Sequence, residues 1–521
     1  MSLVAGINSS TQSLSCVVID LDAEQVVYRD KIEFGKTLGD KYGVKDGFMD
    51  NCAGWVHSPP LMWVQALDLM CDRMAKELRS LSQIKAIAGS GQQHGTVYLN
   101  KTARTVLSNL DASATLTEQL SGIFSRPTSP IWRDSSTAED CDIQAATHGG
   151  RMSVAEVTGS VPTRRFSGPQ IHKFARTEPA AFEATSHVAL VSSFMCSLLL
   201  GDIAPIDYGD GAGMNLMDIR KHTWLDNAFG ANEISAAIKA KLPSEPVPST
   251  TVVGQLNSYY VNRFGFEPGC QVLAFSGDNP DSLLGMGVFE PGKLVISLGT
   301  SDTNFCMIPE AKHDPNGFAN VFGAVTGGYM ALSCFANGGL TRKAIRDRFE
   351  LADWDAFSDV LRNSPAGNGG KVMIPFLAAE ITPVTDGPVE AYFGGLSDDD
   401  RAGCVRGVVE GLLLNMFQHS DWMGQRPSVI WATGGGAQNR EILQVCADVF
   451  NATVHQFEID DSVSLGAALR AANSIDTDWT WERLTGLYCK SDGDPVRPQD
   501  PGAYEDLKGK FGGYLANALA K

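Results

Sequence analysis

The sequence lacks the paired cysteines and histidines that mark many metal and redox sites. Its eleven cysteines stand singly along 521 residues, without a C-x-x-C pair, which excludes zinc-ribbon and thioredoxin-type sites. The nine histidines are equally dispersed and form no H-E-x-x-H pattern. Several cysteines lie in apolar runs, such as Cys196 in SSFMCSLLL. This pattern is typical of reduced thiols in the core of a cytoplasmic protein.

Long apolar runs and excess positive charge are also missing. The N-terminal MSLVAGINSS has no basic region and only a short apolar stretch, so we expect no signal peptide. No apolar stretch approaches the roughly 18–20 residues that span a bilayer. The formal net charge of −18 argues against nucleic acid or an anionic membrane as a partner. A small phosphate ligand stays compatible, because it meets only local charge and backbone N–H groups.

Two common nucleotide-binding signatures are absent. The pattern G-x-x-x-x-G-K-[ST] does not occur, which argues against a P-loop NTPase. No G-x-G-x-x-G opens a strand–helix–strand unit with a downstream acid, which argues against a Rossmann dinucleotide site. Any nucleotide site therefore has to be built from other turns.

Predicted strands and helices alternate along the chain. Apolar runs at 83–91 and 428–436 end in glycine and predict strands, whereas 58–81 and 397–420 have apolar residues at helical spacing. This alternation predicts α/β architecture.

The length predicts two or three domains. We predict an N-terminal domain over 1–267, a C-terminal domain over 268–475 and a tail over 476–521. The first boundary is placed at RFGFEPGC, where Pro and Gly precede a new apolar strand.

A strand–polar turn–strand unit occurs twice. SLVAGI, NSSTQS and LSCVVIDLD form it at the N-terminus, and KLVISL, GTSDT and NFCMIP form it from residue 293 onward. Two related halves are one interpretation, but the repeat is too short to decide the question from the pattern alone.

Glycine- or hydroxyl-rich turns follow several of the predicted strands. They are NSST (8–11), GSGQQHG (89–95), SGDN (276–279) with LGTSDT (298–303), and TGGGAQN (433–439). Each alone is most simply a turn. Together they predict strand-end loops that converge on one cleft, because open α/β sheets usually bind ligands at the carboxyl ends of their strands.

Each of these turns also suits a particular ligand. Backbone N–H groups at Gly299, with the hydroxyl of Thr300, suit a phosphate. The triple glycine lets a flat ring such as adenine lie against the backbone, although close packing of helix on strand explains it equally simply. Gln93 and His94 offer donors and acceptors for sugar hydroxyls, although a lone histidine is more often structural. Asp278 is the best candidate for a general base in phosphoryl transfer.

These turns, in this order and spacing, resemble the FGGY family of carbohydrate kinases. The similarity spans roughly residues 5–472 and includes these segments: STQS, GSGQQHG, WRDSST, RRFSGPQI, FSGDNPDSL, VISLGTSDT and ATGGGAQNREILQVCADVF. The resemblance implies the two-domain actin-like, ribonuclease-H-like ATPase fold with a central cleft. It also implies ATP-dependent phosphorylation of a pentulose, D-xylulose being the leading acceptor, with Mg²⁺ as cofactor.

The resemblance also implies roles for individual residues. Asp278 matches the catalytic base that takes the proton of the sugar's C5 hydroxyl. The sugar-binding set comprises Gln93, His94, Arg165, Asp278 and Asn279. The nucleotide-binding set comprises Gly299, Thr300, Trp354, Gly435, Gly436 and Asn439. The metal set comprises Asn8 and Asp278.

The first turn departs from the family pattern. Family members usually carry Asp where this sequence has Asn8, and often a basic residue where it has Ser15. Asn keeps one oxygen but loses the charge. Three readings stay open: Asn8 binds a metal-bound water, the metal is held chiefly by phosphates and Asp278, or the protein binds sugar without turnover. An active enzyme is favoured, because Asp278, LGTSDT and TGGG are intact.

Other functions also stay open at this stage. A kinase for another ketose or a polyol is the nearest alternative, and a non-catalytic sugar-binding regulator is an alternative from another class. A chaperone-type ATPase shares the implied fold, but the sequence has no separate peptide-binding domain. A homodimer is common among soluble enzymes, but no residue here assigns one.

Overall fold

The structure is a computed structural model of the chain. It describes residues 2–520 apart from 52, 79, 244, 425 and 458–460.

The first half of the chain is built around one mixed sheet. Strand order is β12–β13–β6–β1–β2–β3, and β14 also pairs with β6. Strands β1, β2 and β3 run antiparallel, whereas β6 is parallel to β1, β13 and β14. Strand β1 is buried along its whole length, as expected of a central strand that is covered on both faces. The strands of this half are β1 (Leu3–Ser9), β2 (Ser13–Asp20), β3 (Gln25–Glu33), β4 (Met49–Asp50), β5 (Val56–Ser58), β6 (Ile84–Gly91), β7 (Thr96–Asn100), β8 (Ser129–Pro130), β9 (Thr185–Leu190), β10 (Met217–Asp218), β11 (Thr223–Trp224), β12 (Val252–Gln255), β13 (Gln271–Leu273) and β14 (Ser276–Gly277).

Helices cover both faces of this sheet and make up much of the first half of the chain. They are α1 (Phe34–Tyr42), α2 (Pro60–Glu77), α3 (Ala103–Ser108), α4 (Leu116–Leu120), α5 (Ala138–Thr147), α6 (Arg151–Thr158), α7 (Ser167–Thr177), α8 (Pro179–Ala184), α9 (Val191–Leu200), α10 (Tyr208–Gly211), α11 (Glu233–Lys241), α12 (Ser258–Phe264) and α13 (Asp278–Gly285). The predicted helix over 58–81 corresponds to α2, which begins at Pro60 because proline suits the first helical turn.

The second half repeats this plan. Its main sheet has the order β17–β18–β16–β15–β21–β22–β23. The strands of this half are β15 (Lys293–Leu298), β16 (Asp302–Ile308), β17 (Asn320–Gly323), β18 (Tyr329–Phe335), β19 (Val372–Phe376), β20 (Val389–Phe393), β21 (Val429–Thr433), β22 (Thr453–Gln456) and β23 (Asp492–Val496). The helices are α14 (Gly339–Arg348), α15 (Trp354–Asn363), α16 (Arg401–Ser420), α17 (Arg440–Phe450), α18 (Ser462–Asn473), α19 (Trp481–Tyr488) and α20 (Glu505–Leu519).

The two sheets share their topology. In each, an antiparallel meander (β1–β2–β3, or β15–β16–β18) continues from its first strand into parallel strands (β6 and β13, or β21 and β22). The structure therefore supports the interpretation that the two strand–turn–strand units belong to related halves, and the predicted two-domain α/β fold is confirmed.

Helix α18 crosses between the halves. It follows β22 of the second sheet in sequence, yet it packs on β1 and β6 of the first sheet and against α13. The contact is too close for side chains: a Cβ on Gly6 of β1 would lie 2.0 Å from the carbonyl oxygen of Ser464. Gly6 is therefore required where helix and strand backbones approach each other.

The sheets bear on the predicted domain limits. Strands β13 and β14 join the first sheet although they lie beyond residue 268, where the sequence predicts the second domain to begin. The boundary at 267/268 stays a prediction, but strand pairing favours a later one. The described part of the predicted tail, residues 476–520, packs on the second half: β23 pairs with β22, and α20 packs on α16 and β20.

Two further observations concern the chain as a whole. Within the described ranges, no helix is long and apolar enough to cross a bilayer. The ten described cysteines are all free thiols, and all but Cys334 are buried.

Candidate active site

Asp278 stands where the first sheet gives way to a helix. It follows β14 directly and is the first residue of α13. Its Oδ1 accepts hydrogen bonds from the backbone N–H of Gln93 (3.2 Å) and of Asn279 (3.0 Å). Burial raises the pKa of Asp278 to about 6, although these hydrogen bonds oppose the rise. A carboxylate with this pKa is ionised at neutral pH and is a better proton acceptor than an ordinary aspartate.

Gln93 and Asn279 bind each other beside this carboxylate. Asn279 Nδ2 donates to Gln93 Oε1 at 2.8 Å. Gln93 Nε2 is buried and has no partner among the described residues. A Cβ on Gly277 would lie 2.5 Å from Gln93 Cγ, so only glycine leaves room for this side chain. A buried amide donor without a partner beside a candidate base suits a sugar hydroxyl.

His94 follows in the same loop and is held rigidly. Its backbone has a positive φ of 70°. Its ring stacks on Phe166 with centroids 4.2 Å apart, and Nδ1 lies 2.9 Å from the carbonyl oxygen of Gly213. Burial, reinforced by the charge of Arg165, lowers the pKa of His94 to about 3, so the ring is neutral. A carbonyl only accepts hydrogen bonds, so Nδ1 carries the proton and Nε2 is left as an acceptor.

Arg165 lies between the two halves. It immediately precedes Phe166, and it also reaches the thiol of Cys334 in β18, where its charge and hydrogen bond partly offset the burial that raises the pKa of Cys334. A pocket of about 580 Å³ opens beside Arg165 and is also lined by Trp132 and Thr163. Strand β18 of the second sheet thus lies next to Arg165, which belongs to the candidate site at the end of the first sheet.

Asn8 lies in β1 and not in the turn that the sequence predicts. Its side chain is buried, and Oδ1 accepts a hydrogen bond from Ser90 Oγ at 3.1 Å. Asn8 and Ser276 pair with Ser90 of β6 from opposite sides, so Asn8 and Asp278 border the same end of the first sheet. The described residues contain no cluster of three or more metal-ligating side chains. This donor set does not form a protein cage, but it fits an Mg²⁺ ion that is held chiefly by phosphate oxygens.

Gly299 and Thr300 form an open turn at the end of β15. Thr300 is exposed and Gly299 is partly exposed. The turn is tied to the start of α14, because the N–H of Gly339 donates to the Gly299 carbonyl at 2.8 Å. Beneath the turn, Arg342 and Asp302 form a buried bidentate ion pair of 2.7 and 2.9 Å. A rigid base and an exposed backbone edge suit a phosphate group.

The triple glycine follows β21, which lies beside β15 and runs parallel to it. Gly434 has a positive φ of 84°. A Cβ on Gly436 would lie 2.9 Å from Leu298 Cβ, whereas a Cβ on Gly435 would meet nothing within 4 Å. Gly436 is thus required by packing, and Gly435 presents open backbone to solvent. The packing interpretation therefore applies at Gly436, whereas the nucleotide contact stays a prediction for the open backbone at Gly435.

Asn439 follows this turn and links it to α15, the helix that begins at Trp354. Asn439 caps α17 by accepting from the backbone N–H groups of Glu441 and Ile442, and its Nδ2 donates to Ser358 of α15 at 2.8 Å. Trp354 begins α15, is 40% exposed, and lies under the Arg346 guanidinium at 4.8 Å. An exposed aromatic ring near open glycine backbone suits a planar base.

The sequence analysis assigns no role to two neighbours of the site. Trp132 Nε1 donates to Thr11 Oγ1 at 2.8 Å, joining the pocket beside Arg165 to the first turn. Arg470 of α18 lies behind Asp278 and is fully buried. Trp132 contacts Thr11, and Arg470 contacts Asp281. Both pairs are far apart in sequence, so only the fold reveals these contacts.

The site residues thus form two groups. One, at the end of the first sheet, offers a base and hydroxyl-binding groups. The other, at the end of the second sheet, offers exposed backbone turns and an aromatic ring. Two halves of shared topology, each with a group of candidate residues at the end of its sheet, agree with the predicted two-domain actin-like, ribonuclease-H-like ATPase fold.

Comparison with known proteins identifies the family. Residues 127–285 match the N-terminal domain, and residues 294–475 the C-terminal domain, of the FGGY family of carbohydrate kinases. The chain is 40% identical over 485 residues to the xylulose kinase of Rattus norvegicus, covering 90% of this chain and 88% of that protein. It is 38% identical over 490 residues to xylulose kinase 2 of Arabidopsis thaliana, covering 91% and 87%. The chain therefore belongs to the FGGY family of carbohydrate kinases, which confirms the resemblance seen in its motifs.

Solved structures share the fold over the whole chain. A xylulose kinase from Rhodospirillum rubrum aligns with a TM-score of 0.82 at 20% identity, covering 99% of this chain and 98% of that one. A glycerol kinase from Plasmodium falciparum, solved with ADP, aligns with a TM-score of 0.79 at 16% identity, covering 100% and 98%.

Proposed function

We propose that this enzyme transfers the γ-phosphoryl group of ATP to D-xylulose, giving D-xylulose 5-phosphate and ADP. The observation that carries the proposal is Asp278, a carboxylate of raised pKa that is fixed by the backbone of Gln93. The sugar hydroxyl oxygen attacks the γ-phosphorus, the bond from that phosphorus to the β-phosphate oxygen breaks, and Asp278 takes the hydroxyl proton.

The neighbours of Asp278 supply complementary contacts for a polyhydroxyl substrate. Gln93 Nε2 is a buried donor without a partner among the described residues. His94 Nε2 is an acceptor, because Nδ1 already donates to Gly213. Arg165 and Asn279 add further donors, which fits a molecule whose hydroxyls both donate and accept.

The second-half turns supply the nucleotide site. In this proposal Gly299 and Thr300 bind the phosphates. The base and ribose contact Gly435, Gly436 and Asn439, and Trp354 flanks the nucleotide. The openness of the backbone at Gly435 supports this assignment, since, apart from its chain neighbours, no atom of the described residues lies within 4 Å of a Cβ built there.

Mg²⁺ is the proposed cofactor, entering with ATP. When bound, it would neutralise charge on the transferred phosphoryl group. Asp278 and, through water, Asn8 are the residues that would hold it. Asn8 contributes an amide oxygen in place of a carboxylate, which leaves most of the coordination to phosphates and water.

The choice of D-xylulose is supported by the relatives named xylulose kinase in rat and Arabidopsis. The test is a coupled assay of ADP release with ATP and Mg²⁺ across D-xylulose, D-ribulose, polyols and glycerol. D-Xylulose should give the highest kcat/KM. A higher kcat/KM with another acceptor would assign a different substrate. Tight sugar binding without sugar-dependent ADP release would favour the alternative of a non-catalytic sugar-binding regulator, which is suggested by Asn8 in place of the family acid.

A cytoplasmic location is part of the proposal. Single, buried thiols support it, because such thiols are typical of reducing compartments. A homodimer is proposed as the assembly to test first, by light scattering during gel filtration.

A further inference from the structure

Arg470 has an unusually complete set of partners. It lies in α18, and its side chain is fully buried. Its Nε and Nη2 atoms donate hydrogen bonds to the two carboxylate oxygens of Asp281, at 2.7 and 2.8 Å. Nη1 donates to the carbonyl oxygens of Ser249 and Ala274, both at 2.7 Å, and Nη2 also donates to that of Gly89 at 2.6 Å. These contacts account for all five N–H donors of the guanidinium.

The partners of Arg470 lie on the segments that carry the first-half site. Gly89 is in β6, which leads into the loop of Gln93. Ala274 lies between β13 and β14, just before Asp278. Asp281 is one helical turn after Asp278 in α13. One guanidinium therefore fixes both strand ends and the helix from which the base and its neighbours project.

Close contacts hold α18 itself in place. A Cβ on Gly466 would lie 2.0 Å from the carbonyl oxygen of Asp281, and one on Gly285 would lie 1.8 Å from that of Ser462. Ser464 and Ser15 hydrogen bond through their hydroxyls at 2.9 Å. Helix α18 therefore cannot shift along α13 without clashes, and the position of Arg470 is set as firmly as the two backbones.

Helix α18 lies within the segment that matches the C-terminal family domain, whereas Asp278 lies within the segment that matches the N-terminal one. A residue of the C-terminal family domain thus binds Asp281, one turn after the proposed base in α13.

We propose that Arg470 is a positioning residue that fixes the carboxylate of Asp278 for phosphoryl transfer. This inference rests on the proposed role of Asp278 as base. Arg470 borders Asp281, Ser249, Ala274 and Gly89, so it acts on the chemical step through α13 and not by contact with either substrate. Small displacements of reacting groups are costly, since a shift of about 1 Å can reduce a rate about 10²-fold.

The first test is Arg470→Lys, which keeps the charge but cannot make the bidentate pair. We expect kcat per folded enzyme to fall about 10- to 100-fold while KM for ATP changes less than about twofold. The acid limb of the kcat–pH profile should also move, because the surroundings of Asp278 change. Sugar binding by calorimetry counts the folded, binding-competent enzyme.

Arg406→Lys is the matched control. Arg406 is also buried, pairs with Glu410, and bonds Tyr504 and two carbonyl groups, but in the second half and away from Asp278. The Arg406→Lys variant should lose thermal stability to a similar extent as Arg470→Lys. Its kcat per folded enzyme and the acid limb of its kcat–pH profile should stay at the wild-type values.

If Arg470→Lys does not fold, the double variant Arg470→Met/Asp281→Leu decides. Replacing both members of a buried ion pair by apolar side chains often preserves stability, so this variant should fold and bind sugar but show the same fall in kcat.

A wild-type kcat and pH limb in the folded Lys or double variant would overturn the inference and leave the base role of Asp278 intact. Full turnover by Asp278→Asn would instead overturn the proposed function, whatever the Arg470 variants do.

Discussion

The backbone N–H of Gln93 donates to Oδ1 of Asp278 at 3.2 Å. This bond joins the loop after β6 to the first residue of α13, so the proposed hydroxyl-binding side chains are tied to the candidate base. Asn279 reinforces the link, because its Nδ2 bonds both Gln93 Oε1 and Asp278 Oδ1, at 2.8 and 3.1 Å.

Replacing the base should abolish most turnover and little else. Asp278→Asn keeps an oxygen that can accept from Gln93 and Asn279 but cannot take a proton at neutral pH, so kcat should fall about 10²–10⁴-fold. The dissociation constant for D-xylulose, measured by calorimetry, should stay close to that of the wild type. A near-normal kcat would place the base elsewhere.

The pH profile should show the raised pKa of Asp278. Since the base must be ionised, kcat/KM for D-xylulose, which reports the free enzyme, should fall as the pH drops through about 6, well above the range of an ordinary aspartate. Stability responds in the opposite sense: the folded state binds this proton more tightly than the unfolded chain, so acidification through that window stabilises the fold at this group. The check is kcat/KM for D-xylulose between pH 5 and 8 in a constant-ionic-strength buffer, with Asp278→Asn as the comparison. An acid limb near pH 4 would contradict the assignment.

Restoring the family acid should be tolerated. Asn8→Asp preserves the oxygen that accepts from Ser90 and adds a charge that a metal-bound water can use. We expect unchanged or higher kcat and a lower Mg²⁺ concentration for half-maximal rate, as measured in a magnesium titration. A large loss of activity would show that this buried position tolerates no charge and does not serve a metal.

The triple glycine allows a nucleotide contact to be separated from packing. Gly435→Ala places a methyl group in open space, so the melting temperature should not change while KM for ATP rises severalfold. Gly436→Ala pushes against Leu298 and should lower thermal stability by about 1 kcal/mol or more, as overpacking does. An unchanged KM for ATP in Gly435→Ala would remove this turn from the proposed site.

The sequence pattern correctly predicts those elements that depend on neighbouring residues alone. KLVISL predicts a strand over 293–298, and β15 has those bounds. The residues FSGDN predict a carboxylate at a strand end, and the structure has Asp278 there, at the start of a helix. The first turn is predicted to begin at Asn8, which is two residues too early, because backbone pairing with β2 and β6 extends β1 through Ser9. Residue type alone does not reveal this pairing.

Tertiary pairing explains what the sequence could not predict. Residues 476–521 have no family motif, yet β23 completes the edge of the second sheet. Arg470 lies in a helix that is buried from Ser464 to Ala472, and its partners Asp281 and Gly89 are 189 and 381 residues away in sequence. The roles of the predicted site residues stay predictions, although the structure gathers them at the ends of two sheets.

The crossing of α18 has a consequence for biosynthesis. The ribosome releases the first sheet and α13 well before it makes residues 462–473, an interval on the order of ten seconds or more at ordinary elongation rates. Throughout that interval the surface of β1 and β6 that α18 covers is exposed, and Asp281 lacks its partner Arg470. A nascent chain should therefore depend on chaperones until residues 462–473 have emerged, and chains that terminate before α18 should be insoluble as well as inactive.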